Sequence, residues 1–333
     1  MTITTGSFRV HPFVRALALM LVAGVTFACG RASPGGPGAG PRPSASLPAL
    51  DSARLVGDVF RLAHDSMAGR GIMTPENAKA RTWLVSEFRR MGLEPVSGTF
   101  AHAWVRSPRR NTTDSLRGTN VLGLVRGRGA DARVIVVSAH FDHVGTRNGE
   151  IHNGADDNAS GTAAVLAMAA HFKANPPAHT IVFALWDGEE AGLQGARAFV
   201  AAPPIPLATI AANVNLDMVS RNVKGELWAA GASPWPQMRP VLEELVPRAA
   251  VTLKLGHDSG GGREDWTNQS DQGAFNQAKV PFVYFGVEDH PDYHKPTDDP
   301  ERIEPGFYYR AARTIAAFVE RLDASVTGWP PRR

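Results

Sequence analysis

Five short apolar runs rich in β-branched residues most restrict the folds open to this chain: "NVLGLVRG", "ARVIVVSAH", "HTIVFALWD", "IAANVNLDMV" and "VPFVYFGV". A strand with one wet face alternates apolar and polar residues, and these do not, so both of their faces must be covered. Helical patterns lie between several of them, at Thr162 to Phe172, Leu193 to Val200 and Trp235 to Leu245. Strands buried on both sides and alternating with helices predict an α/β fold, with a mostly parallel central β-sheet and helices on both faces. In such sheets the ligand crevice lies off the carboxyl ends of the strands. There is no internal repeat and no insertion long enough for a second globular domain. With 43% hydrophobic residues in 333, one large core can be built.

The first 50 residues read differently. Arg9 and Arg15 accompany an apolar run from Ala16 to Ala28, shorter than the roughly 20 residues a membrane span takes, which predicts a signal peptide over residues 1–28. The Pro/Gly/Ser-rich stretch over residues 29–50 buries too little apolar surface to fold and predicts a tether. One globular domain is expected over residues 51–333. Its first segments look like amphipathic helices: Leu55, Val59 and Leu62 share a face, and Thr74 as N-cap, Pro75 at the first position and Gly92 as the stop frame a second helix. Cys29 is the only cysteine, which excludes an intrachain disulfide and a cysteine-rich zinc module. Between Ala28 and Gly30 it resembles the modified cysteine of a bacterial lipoprotein signal, although Thr26 and Phe27 depart from that pattern; a plain secretory signal cleaved near Cys29 is the other reading. The expectation is export to a bacterial cell envelope, with membrane contact only through a lipid anchor at Cys29. Setting aside Arg9, Arg15, Arg31 and Arg42 takes the formal charge from +3 to −1, so the basic balance gives no reason to expect nucleic acid as a partner.

Polar residues appear where the apolar runs stop. "VIVVSAHFDHVG" ends in His140 and Asp142, "IVFALWDGEEAG" in Asp187, Glu189 and Glu190, and "NVNLDMVS" sets Asp217 among apolar neighbours. "GADDNASG" follows the first of these and "DYHKPTDD" holds His294 in a late loop. Each has an ordinary explanation. His-x-Asp is commonly a surface cluster; Asp157, Asn158 and Ser160 could cap the helix beginning near Gly161; the two glutamates could form an acidic first helical turn. Only Asp217, in a buried strand, demands a partner on its own account. Taken together, two histidines and several carboxylates from four strand-end loops converge where a crevice is expected, and hard oxygen ligands with imidazole suit zinc. Two ions need a bridging carboxylate, and three carboxylates bring −3 against +4, leaving positive charge that acidifies water.

In "DSMAGRG", "AHFDHVG", "NGADDNASGTAAVLAMA", "DGEEAGLQGA", "NLDM" and "HPDYHKPTDD", taken in that order, the chain resembles the M28 family of zinc peptidases over about Asp51 to Leu322. The resemblance implies a zinc-peptidase architecture and two zinc ions per chain. It would give His140 and Asp217 to one ion, Glu190 and His294 to the other, Asp157 as the bridge and Glu189 as the general base, with a cis peptide after the bridging aspartate. Asp142 is placed to accept the second ring N–H of His140 and fix its tautomer. Gln272 stands where many relatives have histidine. His143, His152, His257 and His290 read as structural or rim residues. The function implied is a zinc exopeptidase removing N-terminal residues from peptides. The alternatives are a glutaminyl cyclase of the same fold, a carboxypeptidase for which Arg263 is the available cation, and a non-catalytic envelope binding protein.

Overall fold

A computed structural model describes residues 46–107 and 115–329. Cys29, the expected signal peptide and most of the expected tether lie outside the described residues. The strands are β1 (Glu94–Pro95), β2 (Ala101–Arg106), β3 (Leu116–Val125), β4 (Val134–His140), β5 (Gly145–Arg147), β6 (Glu150–His152), β7 (Thr180–Trp186), β8 (Ile210–Leu216), β9 (Glu226–Ala230), β10 (Thr252–Leu255) and β11 (Phe282–Gly286). The α-helices are α1 (Ser52–Leu62), α2 (Pro75–Arg90), α3 (Gly161–Ala174), α4 (Gln194–Ala201), α5 (Arg239–Leu245), α6 (Gln272–Gln277) and α7 (Pro305–Ser325).

Nine strands form one sheet in the order β1-β3-β7-β4-β8-β11-β9-β10, with β2 also paired to β3, while β5 and β6 form a separate hairpin. The centre, β7-β4-β8-β11, is parallel. The flanks are mixed: β1, β2 and β7 all run antiparallel to β3, and β9 antiparallel to β11. The α/β architecture is the expected one, with the parallel character concentrated where the site is built.

Alternation along each central strand shows why the runs are continuously apolar. On β4, Ile135, Val137 and Ala139 enter one core, and Val134 and Val136 enter the other. On β7, Ile181, Phe183 and Leu185 go one way and Val182, Ala184 and Trp186 the other. The first core is closed by residues of α1, α2, α3, α5 and α7, and the second by Ala196 and Phe199 of α4 and Ala274 and Phe275 of α6. Each face therefore rests on helix, as period-2 burial requires.

The two N-terminal helices form as the sequence predicts. Thr74 Oγ1 accepts the Asn77 N–H at 3.1 Å, Pro75 opens α2, and Gly92 ends it at φ +72°. The tether boundary does not hold to residue 50: Pro48 and Leu50 are buried, and Arg313 donates to the carbonyls of Leu47 and Pro48. Apolar Leu47 and Leu50 are what the preceding Gly/Pro stretch lacks. α7 lies outside the helical patterns named above, yet Tyr308, Ala311, Ala312, Ile315, Val319 and Leu322 are buried at three- and four-residue spacing. No described helix is long and apolar enough to cross a membrane.

Candidate metal centre

Because β4, β7 and β8 are parallel neighbours, their carboxyl ends fall on one edge and carry His140, Asp187 and Asp217 to it. His140 Nε2 lies 3.3 Å from Asp217 Oδ1 and 3.4 Å from Asp157 Oδ1. The other oxygen of Asp157 faces a second group: Oδ2 is 3.0 Å from His294 Nε2 and 3.7 Å from His143 Nδ1. Glu190 Oε1 completes that group, 2.7 Å from His143 Nδ1 and 3.5 Å from His294 Nε2. Asp157 therefore belongs to two clusters at once, His140–Asp157–Asp217 and His143–Asp157–Glu190.

The loop carrying Asp157 is held from several sides. Gly154 sits at φ +57°, where a side chain would strike the Asp157 carbonyl and the His143 ring. The Asp298 carboxylate accepts the main-chain N–H of Asp156 and Asp157, at 3.0–3.1 Å. Asp156 is used up in structure: its Oδ1 accepts from Ser160 Oγ, Ser220 N and Ser220 Oγ, and its Oδ2 is 3.2 Å from His290 Nε2. The Asp157–Asn158 peptide is cis. Asn158 then both caps and ties: Oδ1 accepts the Gly161 N–H that begins α3, and Nδ2 donates to the Leu216 carbonyl beside Asp217. The helix cap and the carboxylate shared by both clusters thus occupy adjacent residues of one loop.

Neighbouring glutamates diverge. The Glu190 carboxylate turns to His143 and His294, whereas that of Glu189 lines the cavity and accepts no hydrogen bond from the described residues. Asp142 sets this turn. The contact expected between its carboxylate and His140 is made by another atom: His140 Nδ1 faces the Asp142 main-chain carbonyl at 3.1 Å, with the carboxylate 3.9 Å away. That carboxylate instead accepts the main-chain N–H of Glu189 at 3.0 Å and of Glu190 at 3.4 Å. Asp142 thus orients the imidazole through its backbone and the two glutamates through its side chain.

His143 differs most from the sequence reading. It is buried between Glu190 and Asp157, and its ring centroid is 5.7 Å from that of His294. The letters "HFDHVG" hold it only three residues from His140, but whether it turns inward depends on the bend after β4. The other histidines lie apart from the ligand groups: His257 stacks on Trp266 and lies 3.0 Å from Glu288, and His152 Nδ1 meets the Glu150 carbonyl. Gln272 accepts from Asn215 Nδ2 and donates to the Trp266 carbonyl, linking β8 to the cavity wall.

Electrostatics test whether cations fit. Burial pushes Asp142, Glu189 and Asp217 above the usual carboxylate range, and Asp271 up to about 7. Burial would lower His140, yet the carboxylates of Asp217, Glu189 and Asp157 raise it well above an ordinary imidazole. Burial would likewise raise Asp157 and Glu190, but His143 and His294 hold both low. Too many carboxylates share one buried volume for their protons to leave freely. Both nitrogens of His143 and Oε1 of Glu190 are buried without a properly formed hydrogen bond. Closely spaced oxygen and imidazole donors that do not satisfy each other are what a divalent ion satisfies, and the set suits zinc. The clusters open on a cavity of about 390 Å³, walled by Met218, Trp266, Tyr284, Val287 and Tyr293 among others.

Residues 120–319 match the family model for Peptidase family M28, and the chain belongs to that family. Among curated relatives, a protein of Pyricularia oryzae named "Probable zinc metalloprotease" is 27% identical over 275 residues, 72% of this chain and 53% of its own length. A "Probable lipoprotein aminopeptidase" of Mycobacterium tuberculosis is 29% identical over 58% of this chain and 43% of its own. The chain spans about half the length of the curated relatives it matches first. Of solved structures, a zinc aminopeptidase of Bacillus subtilis superposes with a TM-score of 0.66 at 17% identity, covering 82% of this chain and 95% of that one. A glutaminyl cyclase of Bacteroides thetaiotaomicron does so with the same TM-score at 16% identity, covering 83% and 99%. The fold is therefore shared by two chemistries.

Proposed function

We propose that the chain is a metallo-aminopeptidase holding two zinc ions, with His140 and Asp217 at one, Glu190 and His294 at the other, and Asp157 between them. The observation that carries this reading is the division of Asp157, Oδ1 toward His140 and Oδ2 toward His294 and His143. His143, beside Glu190, adds an imidazole to the second group. Zinc bound there lowers the pKa of water and polarises a carbonyl oxygen. Glu189, facing the cavity with a free carboxylate, takes the proton of the attacking water and returns it to the leaving amine. Asp142 fixes where that carboxylate sits, through the main-chain N–H groups of Glu189 and Glu190.

Zinc analysis of the purified protein is expected to give two ions per chain, and hydrolysis is expected for free-amine aminoacyl anilides but not for their N-acetylated forms. Ammonia release from N-terminal glutaminyl peptides without peptide cleavage would move the assignment to a cyclase. Loss of the C-terminal residue from acetylated peptides would move it to a carboxypeptidase.

For location we propose a lipid anchor at Cys29, supported by the apolar run that ends there, the Pro/Gly-rich stretch that follows, and the name of the mycobacterial relative. One acyl chain binds membranes only marginally, so stable anchoring would need more than one on the modified residue. Cys29→Ser is expected to move the protein to the soluble fraction or leave it unprocessed; retention in membranes at the mature mass overturns the anchor.

A further inference from the structure

We propose that Arg197 is a specificity residue that binds a carboxylate on the peptide substrate. This rests on the aminopeptidase reading. Arg197 lines the same cavity as Asp157, Glu189, Glu190, Asp217 and His294, and it is the one lysine or arginine among the described residues that do so. Its position is fixed by the turn that presents the glutamates. Leu193 N–H donates to the Glu189 carbonyl, Gln194 N–H to that of Gly188, and Arg197 N–H to that of Leu193. Ala196 and Phe199 bury the inner side of α4, which leaves Arg197 exposed.

Other arginines near the site are spent on protein. Arg70 is ringed by carbonyls, and Arg221 Nη1 is 2.7 Å from Asp292 Oδ2. Arg197 has no ion pair within 4 Å among the described residues and no side-chain hydrogen bond. Its field reaches the buried Asp271, but both oxygens of that carboxyl lack a hydrogen-bond partner, so the two do not meet. A guanidinium that is unpaired among the described residues and lines a reaction cavity is placed for a ligand that brings its own negative charge.

That ligand is a carboxylate, which matches the guanidinium fork in two parallel hydrogen bonds. In a peptide it has three sources: an acidic first side chain, an acidic second side chain, or the free C-terminus of a dipeptide. Exposed Asp289 lines the same cavity, so selection would come from contact with Arg197 and not from the mean potential. Ion pairs at exposed positions are weak unless bidentate, which sets the expected preference at about five- to tenfold.

The test compares wild type with Arg197→Gln and Arg197→Lys, all zinc-loaded. Three matched substrate pairs separate the sources: glutamyl against glutaminyl anilide, Leu-Glu-amide against Leu-Gln-amide, and Leu-Ala against Leu-Ala-amide. The uncleavable ketomethylene isosteres of the two dipeptide pairs, titrated by calorimetry, give dissociation constants independent of turnover. In wild type at least one carboxylate-bearing member is expected to exceed its neutral partner by five- to tenfold, mainly through KM, with the same preference in Kd wherever an isostere exists. Arg197→Gln is expected to abolish that preference, Arg197→Lys to keep part of it, and leucine anilide to be cleaved by all three within twofold. No carboxylate preference in wild type, or one that survives Arg197→Gln, overturns the role of Arg197 while leaving the aminopeptidase reading intact. Failure of the zinc-loaded wild type to cleave any free-amine substrate overturns both.

Discussion

Glu189→Gln is expected to lower turnover by about 10²–10⁴ while zinc content and the affinity for a competitive amino-acid hydroxamate stay near wild type. The magnitude is the usual share of a positioned acid–base group, and the selectivity comes from geometry. Glu189 and Glu190 are adjacent in sequence, but only Glu190 is in contact with the second histidine group. Glutamine keeps the shape of Glu189 and the main-chain N–H that binds Asp142, so the turn should persist. What is lost is an oxygen that can take a proton. Glu190→Gln is the contrasting variant: it removes charge from a proposed ligand, so zinc binding and thermal stability should fall together through linkage. Metal analysis with steady-state kinetics on both variants checks the pair. Zinc loss in Glu189→Gln, or retention of most of its activity, would refute the assignment of the base.

The strands and the polar residues at their ends were legible because one constraint governs both. A chain segment buried on two faces has no room for a charge, so the first polar or charged residues at its end mark the sheet edge, where His140 and Asp217 stand. A ligand role for them, as for Asp157 and Glu190, needed the resemblance, since in isolation His-x-Asp is an ordinary surface cluster and an acidic residue near a helix start is explained by capping. What stayed hidden depends on contacts between distant segments. Asp142 shows this within a single residue: its place two positions after His140 suggests a side-chain contact, but the bend after β4 gives the imidazole the carbonyl and sends the carboxylate to the glutamate turn. The inward course of His143 is fixed by the same bend. Asp298 is hidden for a different reason. Its function is to accept main-chain N–H groups about 140 residues earlier, and every residue type but proline offers such groups, so no local pattern marks them.

Arg70 is the largest case of this kind and gives the second prediction. The segment "DSMAGRG" has the look of a loop, yet Arg70 is fully buried, and its guanidinium donates to the carbonyls of Phe141 at 2.6 Å, Leu62 and Asn153 at 2.7 Å, and Gly154 at 2.9 Å. Burial lowers it to about 10, and the fields of Asp142, Asp157, Asp298 and Glu190 work the other way, so it stays charged at neutral pH. No carboxylate lies within ion-pair distance among the described residues, and carbonyl oxygens replace the water this cation has lost. Two of those carbonyls flank proposed ligands, Phe141 next to His140 and Gly154 three residues before Asp157, so the same side chain joins the two loops that meet at Asp157. Arg70→Met fills much of the volume but leaves the buried carbonyls of Phe141, Leu62 and Asn153 without that donor, while Gly154 keeps the Ala159 N–H, and it is expected to cost about 3–5 kcal/mol of unfolding free energy. That is a large part of the 5–15 kcal/mol typical of a folded domain. Arg70→Lys should recover only a part, since an ammonium cannot reach acceptors spread around a planar fork. Urea denaturation checks the values, with the exposed Arg263→Met as a control expected within about 0.5 kcal/mol of wild type. Any Arg70→Met protein that folds should also bind zinc about 10–100-fold more weakly, because the groups that orient ligands are felt in metal affinity. A loss below about 1 kcal/mol with unchanged zinc affinity would mean that the two loops hold their positions without Arg70, and that Asp298 and Asn158 suffice to set the bridge.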